Sequence, residues 1–176
     1  MKARLLVTGL VTAAALALAG CGAPAGDPGP APASGGTPAA TSTGGYDFTV
    51  ATLDGGTFDG RALAGRPAVL WFWAPWCPTC LGQAKQVNAL AAEYEGKAAV
   101  VGVAGLGDVP EMREFVRMAK LSGFPQLADE QGLVWKQFGM TAQSTFVVLD
   151  ADGAVAARGH LDAGELPDTL DRLLAG

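Results

Sequence analysis

Two cysteines, Cys77 and Cys80, are the residues of this sequence best suited to chemistry, and they close the stretch "WFWAPWCPTC" over residues 71–80. A C-x-x-C pair can bind a metal, staple a fold or exchange electrons. Zinc takes four ligands, usually from a second C-x-x-C or a pair of histidines. This chain has 3 cysteines in all and a single histidine, His160. A structural disulfide between residues so close in sequence closes a tiny loop and constrains little of the unfolded chain. Thiol–disulfide redox chemistry is the reading that remains.

The elements around the pair favour it. "AVLWFWA" (68–74) is a continuous apolar run, the pattern of a strand buried on both faces. After it, Leu81, Ala84, Val87, Leu90, Ala91 and Tyr94 recur at helical spacing, which predicts a helix from Pro78 to Tyr94. Cys77 then stands at the helix N-terminus, with Pro78 in the first turn, where a missing N–H costs nothing. Free backbone N–H groups and the helix dipole stabilise a thiolate there. Such cysteines titrate at about 3.5–7.5, against about 8.5 for a free thiol. Cys77 is accordingly expected to be the exposed nucleophile that reacts through a mixed disulfide. Cys80, one turn on and further in, resolves that intermediate, and Trp76 forms an apolar rim.

The rest of the chain supplies a frame. "YDFTVATL" followed by "DGGT" predicts an N-terminal β-hairpin, and "AAVVGVAGL" (98–106) a second buried strand. A helix opening at Pro110 lines up Met112, Phe115, Val116 and Ala119. "TFVVLDADGAVAARG" predicts a hairpin turning at Asp152-Gly153, and Leu166, Leu170, Leu173 and Leu174 the apolar stripe of a last helix. The order of these elements is that of a mixed α/β sandwich. Trp71, Trp73 and Trp135 are expected in the core and His160 on the surface. Arg113, Glu114, Arg117 and Lys120 are expected on the solvated face of their helix.

The chain has 176 residues and a net charge of −5. That suits one domain plus extras and argues against a nucleic-acid partner, which calls for a basic face. Lys2 and Arg4 precede an apolar stretch, Leu5 to Leu18, that ends in Leu18-Ala19-Gly20-Cys21. This is a secretory signal, and its last four residues match the bacterial lipobox, in which the cysteine receives lipid and becomes the mature N-terminus. With Cys21 lipidated, Cys77 and Cys80 are left as a matched pair. Residues 22–45 hold one charge, Asp27, and no aromatic residue before the globular composition begins at Tyr46. They read as a disordered tether with a reach of about 25–30 Å.

The sequence resembles the thioredoxin-like, envelope-anchored thiol–disulfide oxidoreductases of the TlpA, ResA and DsbE type, within the AhpC/TSA–redoxin superfamily. The resemblance is carried by "GRPAVLWFWAPWCPTC", "VVGVAGLGDVPEMREFV", "FPQLADEQGLVWKQFGM" and "STFVVLDADGAV". It implies a thioredoxin-like three-layer sandwich over 46–176, with a central mixed sheet of about five strands and helices on both faces. An insert around 107–132 would add a helix and a strand. It also implies catalysis by Cys77 and Cys80 without cofactor or metal, and a substrate groove bordered by Trp76, Pro78, Thr79, Gln143, Ser144 and Thr145. The partners implied are thiols or disulfides of secreted and envelope proteins, together with a membrane redox partner of the CcdA/DsbD or quinone-linked type.

Three positions depart from the family's pattern. Trp71 stands where an acidic residue is usual, and Gln83 where TlpA-like relatives often have Glu. Without a carboxylate to take its proton, a buried resolving thiol deprotonates more slowly. That favours an oxidant, whose disulfide is opened by a substrate's thiolate. Ser144 stands at the family's cis-proline position. A cis bond before a non-proline residue costs roughly 3–4 kcal/mol, so either strain is stored or the bond turns trans. Ser144 also adds an N–H and a hydroxyl near the sulfurs as potential donors to the Cys77 thiolate. The alternatives are a reductant, for instance in cytochrome c maturation, a thiol peroxidase, and a copper carrier of the Sco type. "APWCPTC" lacks the peroxidase's P-x-x-x-T-x-x-C arrangement, and its cysteine spacing is one residue short of the copper carrier's.

Overall fold

The structure is a computed structural model that describes residues 43–162 and 165–176. The expected signal peptide, the lipidation site Cys21 and the tether up to residue 42 lie outside the described residues. The last residues of the expected tether are not disordered, because Thr43–Tyr46 forms a 3-10 turn. The turn sits tight against the hairpin tip: a Cβ on Gly45 would strike the Gly153 carbonyl.

A small antiparallel hairpin comes first, β1 (Thr49–Ala51) paired with β2 (Thr57–Asp59). The central sheet follows, with β3 (Ala68–Trp73), β4 (Ala99–Ala104), β5 (Gln126–Ala128), β6 (Thr145–Leu149) and β7 (Val155–Gly159) in the order β5-β4-β3-β6-β7. β3, β4 and β5 are parallel, while β6 is antiparallel to β3 and β7 to β6. Every residue of β3, β4 and β6 is buried, which is why their sequences are apolar without alternation.

Helices α1 (Pro78–Glu93), α2 (Val109–Ala119) and α4 (Glu165–Ala175) bury their apolar sides with Trp71, Trp73, Phe146 and Val148 on one face of the sheet. The other face packs Leu70, Phe72, Val101 and Val147 against Tyr46, Phe48, Leu63, Trp135 and Phe138. That second layer is thinner, made of the short α3 (Leu133–Gln137), two 3-10 turns and the edge of the hairpin. The sandwich is thus the expected one, with its long helices on a single face. The insert appears as α2 and β5, and Leu53 N–H donates to the Gln126 carbonyl to seal the outer edge of β5.

Local chemistry sets the boundaries, and several differ from expectation. Helix α2 starts at Val109 because Asp108 is its N-cap. The Asp108 side chain accepts from Glu111 N–H while Glu111 reaches back to Asp108 N–H, a reciprocal capping box. Lys120 is the left-handed cap of this helix, Arg117 pairs with Glu114 on its exposed face, and Arg113 Nε donates to the Leu53 carbonyl at 2.8 Å. On α4, Leu166 and Leu170 are buried and Leu173 packs at the margin, but Leu174 is exposed. At 100° per residue, position 174 lies off the face that 166, 170 and 173 share. Likewise Leu81 of α1 is exposed, and the buried stripe is Cys80, Ala84, Val87 and Leu90. Cys80 is itself the first residue of the core stripe.

Both tyrosines act as bolts. Tyr94 is buried and donates to Asp171 Oδ1 at 2.8 Å, tying the end of α1 to α4. Tyr46 donates to the Asp150 carbonyl, tying the first turn to the β6–β7 turn. Burial pushes both phenols up to about 12, helped at Tyr94 by its bond to Asp171 and at Tyr46 by the charges of Asp150 and Asp152. A folded pKa above the unfolded value of 10.0 means stability that is complete below pH 10 and is lost as pH rises from there through about 12. The expected result is that tyrosinate absorbance appears together with loss of near-UV circular dichroism. A titration of both phenols near pH 10 in a folded protein would contradict these two contacts.

Candidate active site

The site lies where β3 runs out into the turn Ala74–Cys77, with Cys77 N–H donating to the Ala74 carbonyl at 3.2 Å. Cys77 is the N-cap of α1 with extended backbone angles (φ −89°, ψ 108°), and Pro78 is the first helical residue. Its Sγ accepts from Cys80 N–H at 3.0 Å, so one of the unsatisfied donors of the helix end points at sulfur. Cys77 and Cys80 are joined as a disulfide with their Cα atoms 5.3 Å apart, within the ordinary range.

Burial corrects one expectation. Cys77 is only 4 % exposed and Cys80 0 %. The Cys77 sulfur is turned onto Cys80 N–H and bonded to a core residue. The accessible part of the turn is therefore Trp76, at 57 %, with Pro78 and Thr79 beside it. The order of depth still holds, Cys77 outermost and Cys80 within. The Trp76 indole is fixed, because Nε1 donates to the Leu106 carbonyl at 2.7 Å.

The two positions that depart from the family's acidic pattern meet each other. Trp71 is fully buried on β3, and its Nε1 donates to Gln83 Oε1 at 3.0 Å. A neutral indole–amide pair thus lies one helical turn beyond Cys80. Trp73 is bonded in the same way to Gln126 Oε1 at 3.1 Å, over Gly102. Gly102 is required there, since a Cβ would collide with the Gln126 side chain.

Sheet register places the remaining residues expected to border the substrate groove. Phe72 on β3 pairs with Thr145 on β6, so the chain just before β6 lies beside the exit of β3. Ser144 N–H donates to the Phe72 carbonyl at 2.8 Å. No cis peptide occurs among the described residues, so the bond before Ser144 is trans. Ser144 instead takes a left-handed φ of 68°, a conformation that costs a β-carbon-bearing residue roughly 1–2 kcal/mol. Its Oγ is buried without a hydrogen-bond partner. Thr145 is buried, its hydroxyl donating to the Ala142 carbonyl at 3.0 Å, and Gln143 is half-buried.

Two residues at this end of the sheet have contacts that sequence reasoning missed. His160 is exposed as expected, but its Nδ1 lies 3.0 Å from the Ser144 carbonyl. A carbonyl only accepts, so Nδ1 carries the proton, and the ring helps hold the left-handed turn. Asp129 is buried and accepts from Leu133 N–H at 2.7 Å and from Trp135 N–H at 2.9 Å. It nucleates α3, and the signal for it was an aspartate four residues ahead of "LVWKQ". Among the described residues, no cluster of three or more His, Cys, Asp or Glu could hold a metal ion, and no helix is long and apolar enough to cross a membrane.

Fold and site together define a class: a thioredoxin-like domain with a Cys77–Cys80 disulfide at the N-terminus of the helix that follows its central strand. The chain belongs to the AhpC/TSA family, whose sequence model matches residues 45–158. It is 42 % identical over 106 residues to the soluble secreted antigen MPT53 of Mycobacterium tuberculosis, a match spanning 60 % of each chain. Among solved structures it is similar to MTB dsbF, with 46 % identity and a TM-score of 0.70 over 74 % of this chain and 97 % of that one. It is also similar to a secreted Mycobacterium tuberculosis disulfide oxidoreductase homologous to E. coli DsbE. There the identity is 35 % and the TM-score 0.66, over 73 % of this chain and 97 % of the other.

Proposed function

We propose that this chain is a lipid-anchored, extracytoplasmic thiol–disulfide oxidoreductase that donates its Cys77–Cys80 disulfide to thiols of secreted proteins. The observation that carries the reading is the Cys77 sulfur at the N-cap of α1 with Cys80 N–H aimed at it from 3.0 Å. A substrate thiolate attacks Cys77 Sγ, the bond to Cys80 breaks, and Cys80 leaves as a thiolate. A second substrate thiolate then attacks the substrate sulfur of the mixed disulfide and Cys77 leaves. The substrate is oxidised to a disulfide by loss of two electrons, and the protein holds the reduced dithiol. The N-terminal donors of α1 stabilise the Cys77 thiolate so released.

Two features support the oxidising direction. Trp71 and Gln83 form a neutral pair, so neither supplies a base to activate Cys80 for reducing a substrate. The Ser144 hydroxyl, unpartnered in the disulfide form, gains an acceptor if the released thiolate comes within its reach. Two of the proteins named above are a secreted antigen and a secreted disulfide oxidoreductase, which supports an extracytoplasmic location. Cys21, in Leu18-Ala19-Gly20-Cys21, would receive the lipid, and residues 22–45 would give the domain reach from the membrane. A quinone-linked membrane partner would accept the two electrons and reoxidise the dithiol, whereas a partner of the CcdA/DsbD type, which supplies electrons, would serve the reducing alternative.

Two paired assays test this. The oxidised protein is expected to restore activity to a reduced, unfolded disulfide protein and to reduce insulin poorly. Rapid insulin reduction without refolding activity would establish the opposite direction. Palmitate labelling of the full chain, lost in Cys21→Ala, is expected of the anchored form, and an unlabelled full chain would overturn the anchor.

A further inference from the structure

Apolar side chains are exposed beside the disulfide. Trp76, Leu106 and Met118 are 57 %, 52 % and 53 % exposed. Single exposed apolar residues are ordinary, but a group of them beside a reactive centre marks a contact surface. Trp76 is anchored through Leu106, so the wall it forms is rigid. Between that wall and α2 runs an open groove of about 410 Å³, lined by Pro75, Trp76, Phe115 and Met118 together with Glu111 and Glu114. No lysine or arginine lines it. Glu111 is held by the capping box, and Glu114 pairs with the exposed Arg117, a solvent-screened contact that an incoming cation can compete for. The chain as a whole is acidic, with a net charge of −5.

Resting on the function proposed above, we infer that this groove selects substrates in which the reacting cysteine is flanked by an apolar residue and a lysine or arginine. Trp76 immediately precedes Cys77 and borders both this groove and the expected substrate groove, so residues on one side of a thiol that attacks Cys77 come against this wall. The apolar side chain covers Trp76 and Met118, and the cation faces Glu111 and Glu114. Anionic segments are repelled by the same carboxylates. The helix that forms the far wall, α2, belongs to the insert, so this selectivity would be a property the insert adds.

The test measures how fast reduced peptides open the Cys77–Cys80 disulfide of the full chain. Three peptides carry one cysteine flanked by Leu and Lys, by Leu and Glu, or by Gly and Ser, and each rate is divided by that with dithiothreitol. The Leu/Lys peptide is expected to react about tenfold faster than the Gly/Ser peptide, a difference of about 1.4 kcal/mol. The Leu/Glu peptide is expected to be several-fold slower than Leu/Lys at low salt, a gap that narrows as ionic strength rises. Met118→Asp should erase the advantage of leucine, and Glu114→Lys should reverse the order of the Lys and Glu peptides. Equal normalised rates for all three peptides, or ratios untouched by both substitutions, would overturn the groove's role alone. Reaction with dithiothreitol but with no peptide would overturn the proposed function and this inference with it.

Discussion

Cys77→Ser is expected to abolish thiol–disulfide exchange, and Cys80→Ser to yield a protein that captures partners and does not release them. The asymmetry follows from depth and from the helix end. Cys77 is the outer sulfur and sits under the N-terminal N–H groups of α1. Cys80 is fully buried as the first residue of the stripe that α1 presses on the sheet. A substrate thiolate can approach Cys77 past Trp76, Pro78 and Thr79, whereas Cys80 is reached only by its neighbour. Removing the nucleophile should lower exchange by at least about three orders of magnitude. Removing Cys80 leaves Cys77 with no disulfide to donate; its thiolate can still attack a partner's disulfide, and without Cys80 to displace it the mixed disulfide persists, visible as substrate-linked species on non-reducing gels. Both substitutions delete a disulfide that closes a very short loop and stabilises little, so loss of the fold is not the expected explanation. Equal trapping by the two variants, or turnover by Cys80→Ser, would refute the assignment of roles.

The second large effect is on stability. Trp71→Ala should cost about 4 kcal/mol, the range for truncating a buried aromatic residue, and lower the melting temperature by roughly 10–20 °C. Trp71 is completely buried at the centre of the sheet, stacked on Phe146 with ring centres 6.4 Å apart and tilted against Trp73 at 6.0 Å. It also satisfies Gln83. Trp71→Phe keeps most of the packing and deletes the hydrogen bond, so it isolates a contribution of about 1 kcal/mol. Thermal unfolding of the oxidised forms provides the check. A Trp71→Ala protein melting within about 3 °C of the parent would show that this residue is not the keystone its burial indicates.

The parts of this account that were legible in the sequence are those encoded locally. "AVLWFWA" has the composition of a strand buried on both faces, and β3 is one. Cysteine spacing at a strand-to-helix junction was enough to place the dithiol on α1. What escaped depends on contacts between distant segments. Leu81 matches the helical spacing as well as Cys80 does, and only the direction in which α1 lies on the sheet decides that Cys80 goes inward. Cys77 looked exposed because an N-cap is a helix end, but its sulfur is drawn in by Cys80 N–H and by the disulfide. Trp71 and Gln83 were visible as two separate missing acids, and that they satisfy each other required a strand and a helix to be packed together. Ser144 and His160, sixteen residues apart, meet because β6 and β7 form a hairpin that returns the chain to the same end of the sheet. The left-handed turn at Ser144, with its trans peptide bond, is held by Phe72 on one side and His160 on the other. No local pattern encodes that.

The most direct test of the central claim, that Cys77–Cys80 is an oxidising pair, is its equilibrium potential against glutathione. Strong dithiol oxidants lie near −120 mV and thioredoxin near −270 mV. Donors at the N-terminus of α1 and the neutral Trp71–Gln83 pair predict a value well on the oxidising side of thioredoxin, above about −200 mV. A potential below roughly −250 mV would contradict the claim and make the protein a reductant.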